Sequence, residues 1–291
     1  MPPQITALHS FFDQELFRPL QRFLTPLLIY RPYKSVDECN EWFLKSQGKD
    51  FQGLVKHRAA SFLPEKINNP LGGLEILPCG WVDTATLARE MKQVLQDTGN
   101  FRCLDEVFLP KQLDPEKRLF HPTGETFDEV IFCEGPRVSE NPWFSHLNLA
   151  PLKGQVLEIE VEGLPEDLVV LRKVFLVPRG DNKFVVGSTY EKNFSHLDPT
   201  PEGINTLENY IGEAIRLPFR RIDVRAGARL TTPNRRPVAG RHPDYPGLII
   251  FNGLGTKGVL QAPWTARHLR HWLDGHVPVL LKDIRLERFS S

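Results

Sequence analysis

A mixed α/β fold built from two interleaved domains is what this sequence predicts, and three observations predict it. An apolar run at 248–251 feeds a glycine turn and then a helical pattern near the carboxyl end. The middle of the chain holds short β-branched runs separated by Gly, Pro or Asp. "RRIDVRAGAR" alternates strictly, with Arg221, Asp223, Arg225, Gly227 and Arg229 on one face and Ile222, Val224, Ala226 and Ala228 on the other. A strand–turn–helix unit argues for an α/β layer, and the β-branched block argues for a mainly antiparallel sheet.

Taken in order, residues 4–17 read as a helix, with Ile5, Leu8, Phe12 and Leu16 near one face. "FLTPLLIYRPY" reads as a strand with a proline break. Ser35-Val-Asp-Glu38 is a capping box that opens a helix to about Lys45, stopped near Gly48. "GGLEILPCGWV" reads as a strand pair or one bulged strand. Leu87, Met91, Val94 and Leu95 stand at helical spacing in 84–97. Then come "FRCLDEVF", "DEVIFCEG", "GQVLEIEVEGL", "VLRKVFLVP" and "KFVVGSTY", each a strand candidate. Residues 202–215 form a helix, 248–252 an interior strand, and 259–273 the last long helix.

Composition narrows the function classes. Of 291 residues, 36 are basic and 36 acidic, so no net charge draws the chain to nucleic acid or an anionic membrane. Cys39, Cys79, Cys103 and Cys133 are widely spaced, which argues against a zinc site or disulfide framework and for reduced thiols in a cytoplasm. The start lacks a basic segment followed by an apolar run, and no apolar run approaches the roughly 18–20 residues of a membrane span. Twenty-five prolines favour many short elements.

Three clusters carry candidate chemistry. Gly253-Leu254-Gly255-Thr256-Lys257-Gly258 fits G-x-G-x-x-G, a weak signal by itself. A strand feeding such a turn and then a helix gathers backbone N–H groups and a positive helix end at one place, and Lys257 adds a cation. The site favours an anion or a developing negative charge. A tight turn without ligand is the bland alternative. Only "DGHVPVLLKDIRLERFSS" follows the helix, too little for the second strand and ribose-binding acid of a primary pyrophosphate fingerprint. The second cluster is Arg216, Arg220, Arg221, Arg225, Arg229, Arg235, Arg236 and Arg241. It reads first as a solvated face paired with acids elsewhere, and second as a carboxylate or phosphate site. Arg229 stands out because Gly227 and Ala228 beside it leave room for a ligand. Third, His268 and His271 lie three apart without a third ligand nearby. They read as surface residues, and no metal site is assigned.

The order of motifs says more than any one of them. "FDEVIFCEG", "PLKGQVLEIE", "VFLVPRGDNKFVVGSTYE", "AGARLTTPNRRPVAGRHP" and "LIIFNGLGTKGVLQAP" follow one another at close spacing. This run resembles the carboxy-terminal two-thirds of the FAD-dependent D-amino-acid oxidase (DAO) superfamily. That group includes glycine oxidase, sarcosine oxidase and the flavin oxidoreductase of tRNA methylaminomethyl-uridine modification. The resemblance is clear over residues 125–273 and fainter over 30–100. It implies a Rossmann-like FAD domain, here incomplete, interleaved with a mainly antiparallel substrate domain. Carried over, Gly253, Leu254, Gly255, Thr256, Lys257 and Gly258 would run along the isoalloxazine and ribityl part of FAD. A helix start and Lys257 there would stabilise charge at the flavin N1–C2=O edge. Arg229 matches the arginine that grips a substrate carboxylate, and Gly135 the glycine that passes the nucleotide half of the cofactor.

The sequence departs from the family pattern in three ways. The amino-terminal G-x-G-x-x-G with its first helix and acid is not found. The family's Y-x-V-P-R is Phe175-Leu-Val-Pro-Arg179, and Leu230 rather than Pro follows Arg229. The resemblance therefore implies a missing amino-terminal segment upstream of Met1, and weak or no FAD binding by residues 1–291 alone. The expected segments are 1–80 and 151–227 for the substrate domain, and 81–150 and 228–291 for the FAD domain. The expected function is FAD-dependent oxidation of a small amine or amino-acid-like molecule by hydride transfer, with Arg229 on the substrate and Lys257 on the flavin. The alternatives are a non-catalytic fragment that does not hold FAD and a tRNA-modifying flavin oxidoreductase. A nucleic-acid partner is the less favoured reading, and no membrane partner is expected.

Overall fold

A computed structural model describes residues 3–77, 79–104, 107–147 and 149–289. Along the chain these are α1 (Pro3–Phe12), β1 (Leu24–Pro26), β2 (Leu28–Pro32), α2 (Val36–Ser46), β3 (Val55–Arg58), β4 (Gly73–Ile76), β5 (Gly80–Val82) and α3 (Thr84–Asp97). There follow β6 (Leu113–Asp114), β7 (Leu119–Phe120), β8 (Glu125–Thr126), β9 (Val130–Phe132), β10 (Ala150–Glu160), β11 (Leu168–Leu171), β12 (Phe175–Gly180) and β13 (Lys183–Gly187). The last are α4 (Pro201–Ala214), β14 (Arg220–Thr231), β15 (Val238–Arg241), β16 (Leu248–Asn252) and α5 (Gly258–Leu273). The chain divides into two compact units, one of Met1–Gln21, Thr84–Leu152 and Ala228–Ser291, the other of Arg22–Asp83 and Lys153–Gly227.

The second unit is built on an eight-stranded sheet in the order β14-β10-β13-β12-β11-β2-β4-β3. Its pairings are antiparallel at β10–β13, β13–β12, β12–β11, β2–β4 and β4–β3, and parallel at β11–β2. Leu157, Ile159, Leu176, Phe184 and Val186 are buried from the sheet, and Leu207, Ile211 and Ala214 of α4 pack on them. α4 starts where the sequence permits it. Thr200 Oγ1 accepts the Gly203 N–H at 3.2 Å, and Pro201 fills the first helical position. α2 forms half of the expected box, in that Ser35 Oγ accepts the Glu38 N–H at 3.1 Å. The Glu38 carboxylate returns to the Lys34 N–H at 2.6 Å rather than to that of Ser35.

The first unit holds the three-stranded sheet β15-β16-β9, with β16 antiparallel to β15 and parallel to β9. Leu248 and Ile250 face one apolar cluster with Phe132, Phe144 and Val238. Ile249 faces another with Ala239, Leu269 and Ile284. Both sides of β16 are covered, which is why the run is continuously apolar rather than alternating. α1 packs against α5. No helix among the described residues is long and apolar enough to cross a membrane.

Several local expectations change. The first helix ends at Phe12, not 17, and a 3-10 turn follows at Arg18–Phe23. "VLRKVFLVP" is a hairpin, β11 and β12, not one strand. "GGLEILPCGWV" makes two strands that choose different partners: β4 pairs with β2 and β3, and β5 with β1. In "FRCLDEVF", residues 101–104 and 107–108 lie in no strand, and 105–106 lie outside the described residues.

Candidate functional site

All the expected site residues belong to the first unit. β16 ends at Asn252, and the chain turns left-handed at Gly253 (φ +73°) and Gly255 (φ +60°). A 3-10 turn at Gly255–Lys257 leads into α5. The turn lies against the end of β14. A side chain at Gly253 would meet Thr232 Cγ2 at 2.7 Å, and one at Gly255 would meet Thr231 Oγ1 at 3.4 Å. Glycine is therefore required at 253 twice over, by dihedral angle and by space. Thr231 and Leu254 also form an isolated antiparallel bridge.

Arg229 stands two residues before Thr231 on the same face of β14, half-buried. At about 3.3 Å per residue this sets its Cα roughly 6–7 Å along the strand from the residue that abuts Gly255. Lys257 is exposed at the head of α5. The first turn of α5 has no acidic residue and no side-chain cap.

Gly135 follows β9 and is left-handed too (φ +58°), with nothing within 4 Å of where a side chain would point. It joins the turn after β16 through a residue that sequence reasoning passed over. Asn252 Nδ2 donates to the Gly135 carbonyl at 3.1 Å, and Asn252 Oδ1 accepts the Gly253 N–H at 2.9 Å. The signal was a polar residue ending an apolar strand directly before a glycine. Glu134 was also passed over. Burial pushes its carboxyl above the usual range, although Asn141 Nδ2 donates to it at 2.8 Å. The structure thus brings Gly253, Leu254, Gly255, Thr256, Lys257 and Gly258 together with Gly135 and the end of β14.

Many of the arginines are paired with acids. Arg220 pairs with Glu160, Arg221 with Glu208 at 2.6 Å, and Arg225 with Glu158 at 3.3 Å. Arg241 grips Glu129 through two bonds of 2.6 Å. Arg179 meets Asp83 at 3.3 Å and lies over the Trp81 ring.

The chemistry of the residues at hand fits FAD. Two left-handed glycines keep side chains off the turn, the space beside Gly135 is open, and Lys257 at the head of α5 adds positive charge where the helix dipole favours an anion.

Comparison with known proteins points the same way. The family description "FAD dependent oxidoreductase" matches residues 20–272. The tRNA 5-methylaminomethyl-2-thiouridine biosynthesis bifunctional protein MnmC of Shewanella amazonensis is 26% identical over 73% of this chain and 38% of its own length. The glycine oxidase of Pseudomonas aeruginosa is 26% identical over 67% of this chain and 56% of its own. The chain thus spans well under two-thirds of the curated relatives it matches. In fold it is similar to the glycine oxidase of Geobacillus kaustophilus, with a TM-score of 0.76 at 17% identity over 94% of this chain and 79% of that one. An iminodiacetate oxidase from Chelativorans gives a TM-score of 0.71 at 22% identity over 99% of this chain and 84% of that one.

Proposed function

Because the chain belongs to the FAD dependent oxidoreductase family, we propose that it serves the oxidation of a small amine or amino acid at the C–H beside nitrogen. FAD, when bound, supplies the hydride acceptor. The chain's own residues supply position and charge. The N–H groups at the head of α5 and the ammonium of Lys257 favour negative charge beside them. Arg229 is assigned to a substrate carboxylate, which a guanidinium binds through two parallel N–H donors. The observation that carries this reading is the fit between the glycine turn at 253–258 and the Thr231–Thr232 step, two residues beyond Arg229.

The test is direct. With FAD added to saturation, glycine, sarcosine or iminodiacetate should bleach the flavin absorption bands anaerobically. Arg229→Leu should raise KM for the carboxylate substrate by about tenfold or more, the loss of a charge-assisted pair worth roughly 1.5–3 kcal/mol. No bleaching with any small amine, or an unchanged KM in the variant, rejects the reading. Amine oxidation on tRNA is the second reading, drawn from the similarity to MnmC. The pairing of Arg220, Arg221 and Arg225 with glutamates weighs against it. A steep salt dependence of tRNA binding would favour it.

A further inference from the structure

At the carboxyl ends of two adjacent parallel strands the chain turns left-handed, at Gly135 after β9 and at Gly253 after β16. The backbone register between these strands runs from Val130 opposite Leu248 to Phe132 opposite Ile250. Beyond it the two turns are joined by the side chain of Asn252, which is 6% exposed. Its amide donates to the Gly135 carbonyl and accepts from the Gly253 N–H. The other side of the same corner is held by Asn141, 1% exposed. That residue donates to the Glu134 carboxylate at 2.8 Å while its Oδ1 accepts the N–H groups of Trp143 and Phe144 at 2.9 and 3.2 Å. Asn252 thus spends both halves of its amide on linking two turns and none on its own strand.

We propose that Asn252 is a positioning residue that locks the two glycine turns into one frame for the cofactor. It takes the Gly253 N–H and so fixes where the turn begins. It fixes the Gly135 carbonyl, so the open side of Gly135 stays at a set distance from that turn. The ligand half of this inference rests on the proposed function. The link between the turns does not.

Asn252→Asp separates the two. A protonated carboxyl donates to the Gly135 carbonyl and accepts from Gly253, restoring both bonds. An ionised carboxylate keeps the Gly253 bond but sets negative charge against a carbonyl oxygen. FAD affinity of Asn252→Asp, read by quenching of flavin fluorescence, should be about tenfold weaker than wild type at pH 8, the worth of one buried hydrogen bond, and should recover on acidification. The recovery should exceed any pH response of wild type, in which Glu134 is the titrating group of the same corner. Asn252→Leu, of similar size with neither group, should be weaker at every pH. Without FAD, amide hydrogen exchange gives an independent reading. In both variants at pH 8, amides at 137–139 and at 253–257 should exchange about tenfold faster together, while those of α4 stay unchanged. If wild type binds no FAD, the proposed function falls and exchange still decides the link. Faster exchange confined to 253–257, or a pH-independent FAD affinity in Asn252→Asp, overturns the proposal. If Asn252→Leu does not fold, Asn252→Asp across pH carries both readouts.

Discussion

Glu134 sits at the corner between β9 and Gly135, half-buried, with its carboxyl pushed above the usual range by desolvation despite the bond from Asn141. A carboxyl raised in the folded state favours the fold while it is protonated. That contribution is present in acid and is lost as pH climbs through the raised value. Glu134→Gln keeps an acceptor for Asn141 and removes the charge. It should therefore raise the melting temperature at neutral pH, with the gain closing as pH falls into the carboxylate range. A gain that is constant with pH would show that charge is not the cause. The residues of the site were unequally legible. Gly253 and Gly255 show in sequence because a turn that tight needs left-handed backbone, which glycine adopts freely. Asn252 does not show, because its acceptor lies 117 residues away along the chain. Glu134 is similar, since its shift comes from burial that no local pattern encodes.

Elements were legible where one local rule decided them. α3 spans Thr84–Asp97, as its helical spacing predicts, and β16 is the interior strand that an unbroken apolar run predicts. Elements went astray where a partner decided them. β11 and β12 read as one strand because both are apolar, and their register across the turn at 172–174 separates them. The same reasoning gives an expectation for the turn that joins β16 to α5. Gly253→Ala would force a side chain onto a left-handed backbone and against Thr232. It should cost about 1–3 kcal/mol, read as a shift in the denaturation midpoint without a change in slope. A variant as stable as wild type would mean that the turn can relax away from β14.

For the molecule as a whole, equal numbers of acids and bases leave the arginine-rich strand as the feature most suggestive of a polyanion. Its neighbours decide otherwise: Glu158 and Glu160 on β10 and Glu208 on α4 pair with Arg225, Arg220 and Arg221. Replacing Glu158 and Glu160 together by Lys should uncover the strand and raise the salt needed to elute the protein from a heparin column. Wild type should elute early. Strong, salt-sensitive retention of wild type would show that the pairs do not mask the face. Exposed pairs of this kind contribute about 0–1 kcal/mol each, so selection for stability holds them weakly. What they preserve is cancellation, and cancellation survives an exchange of signs. Diverging copies of this chain should therefore change Arg220 and Glu160, or Arg225 and Glu158, in concert. A lone reversal at one of these sites would mark a lineage in which the strand has acquired a polyanionic ligand of its own.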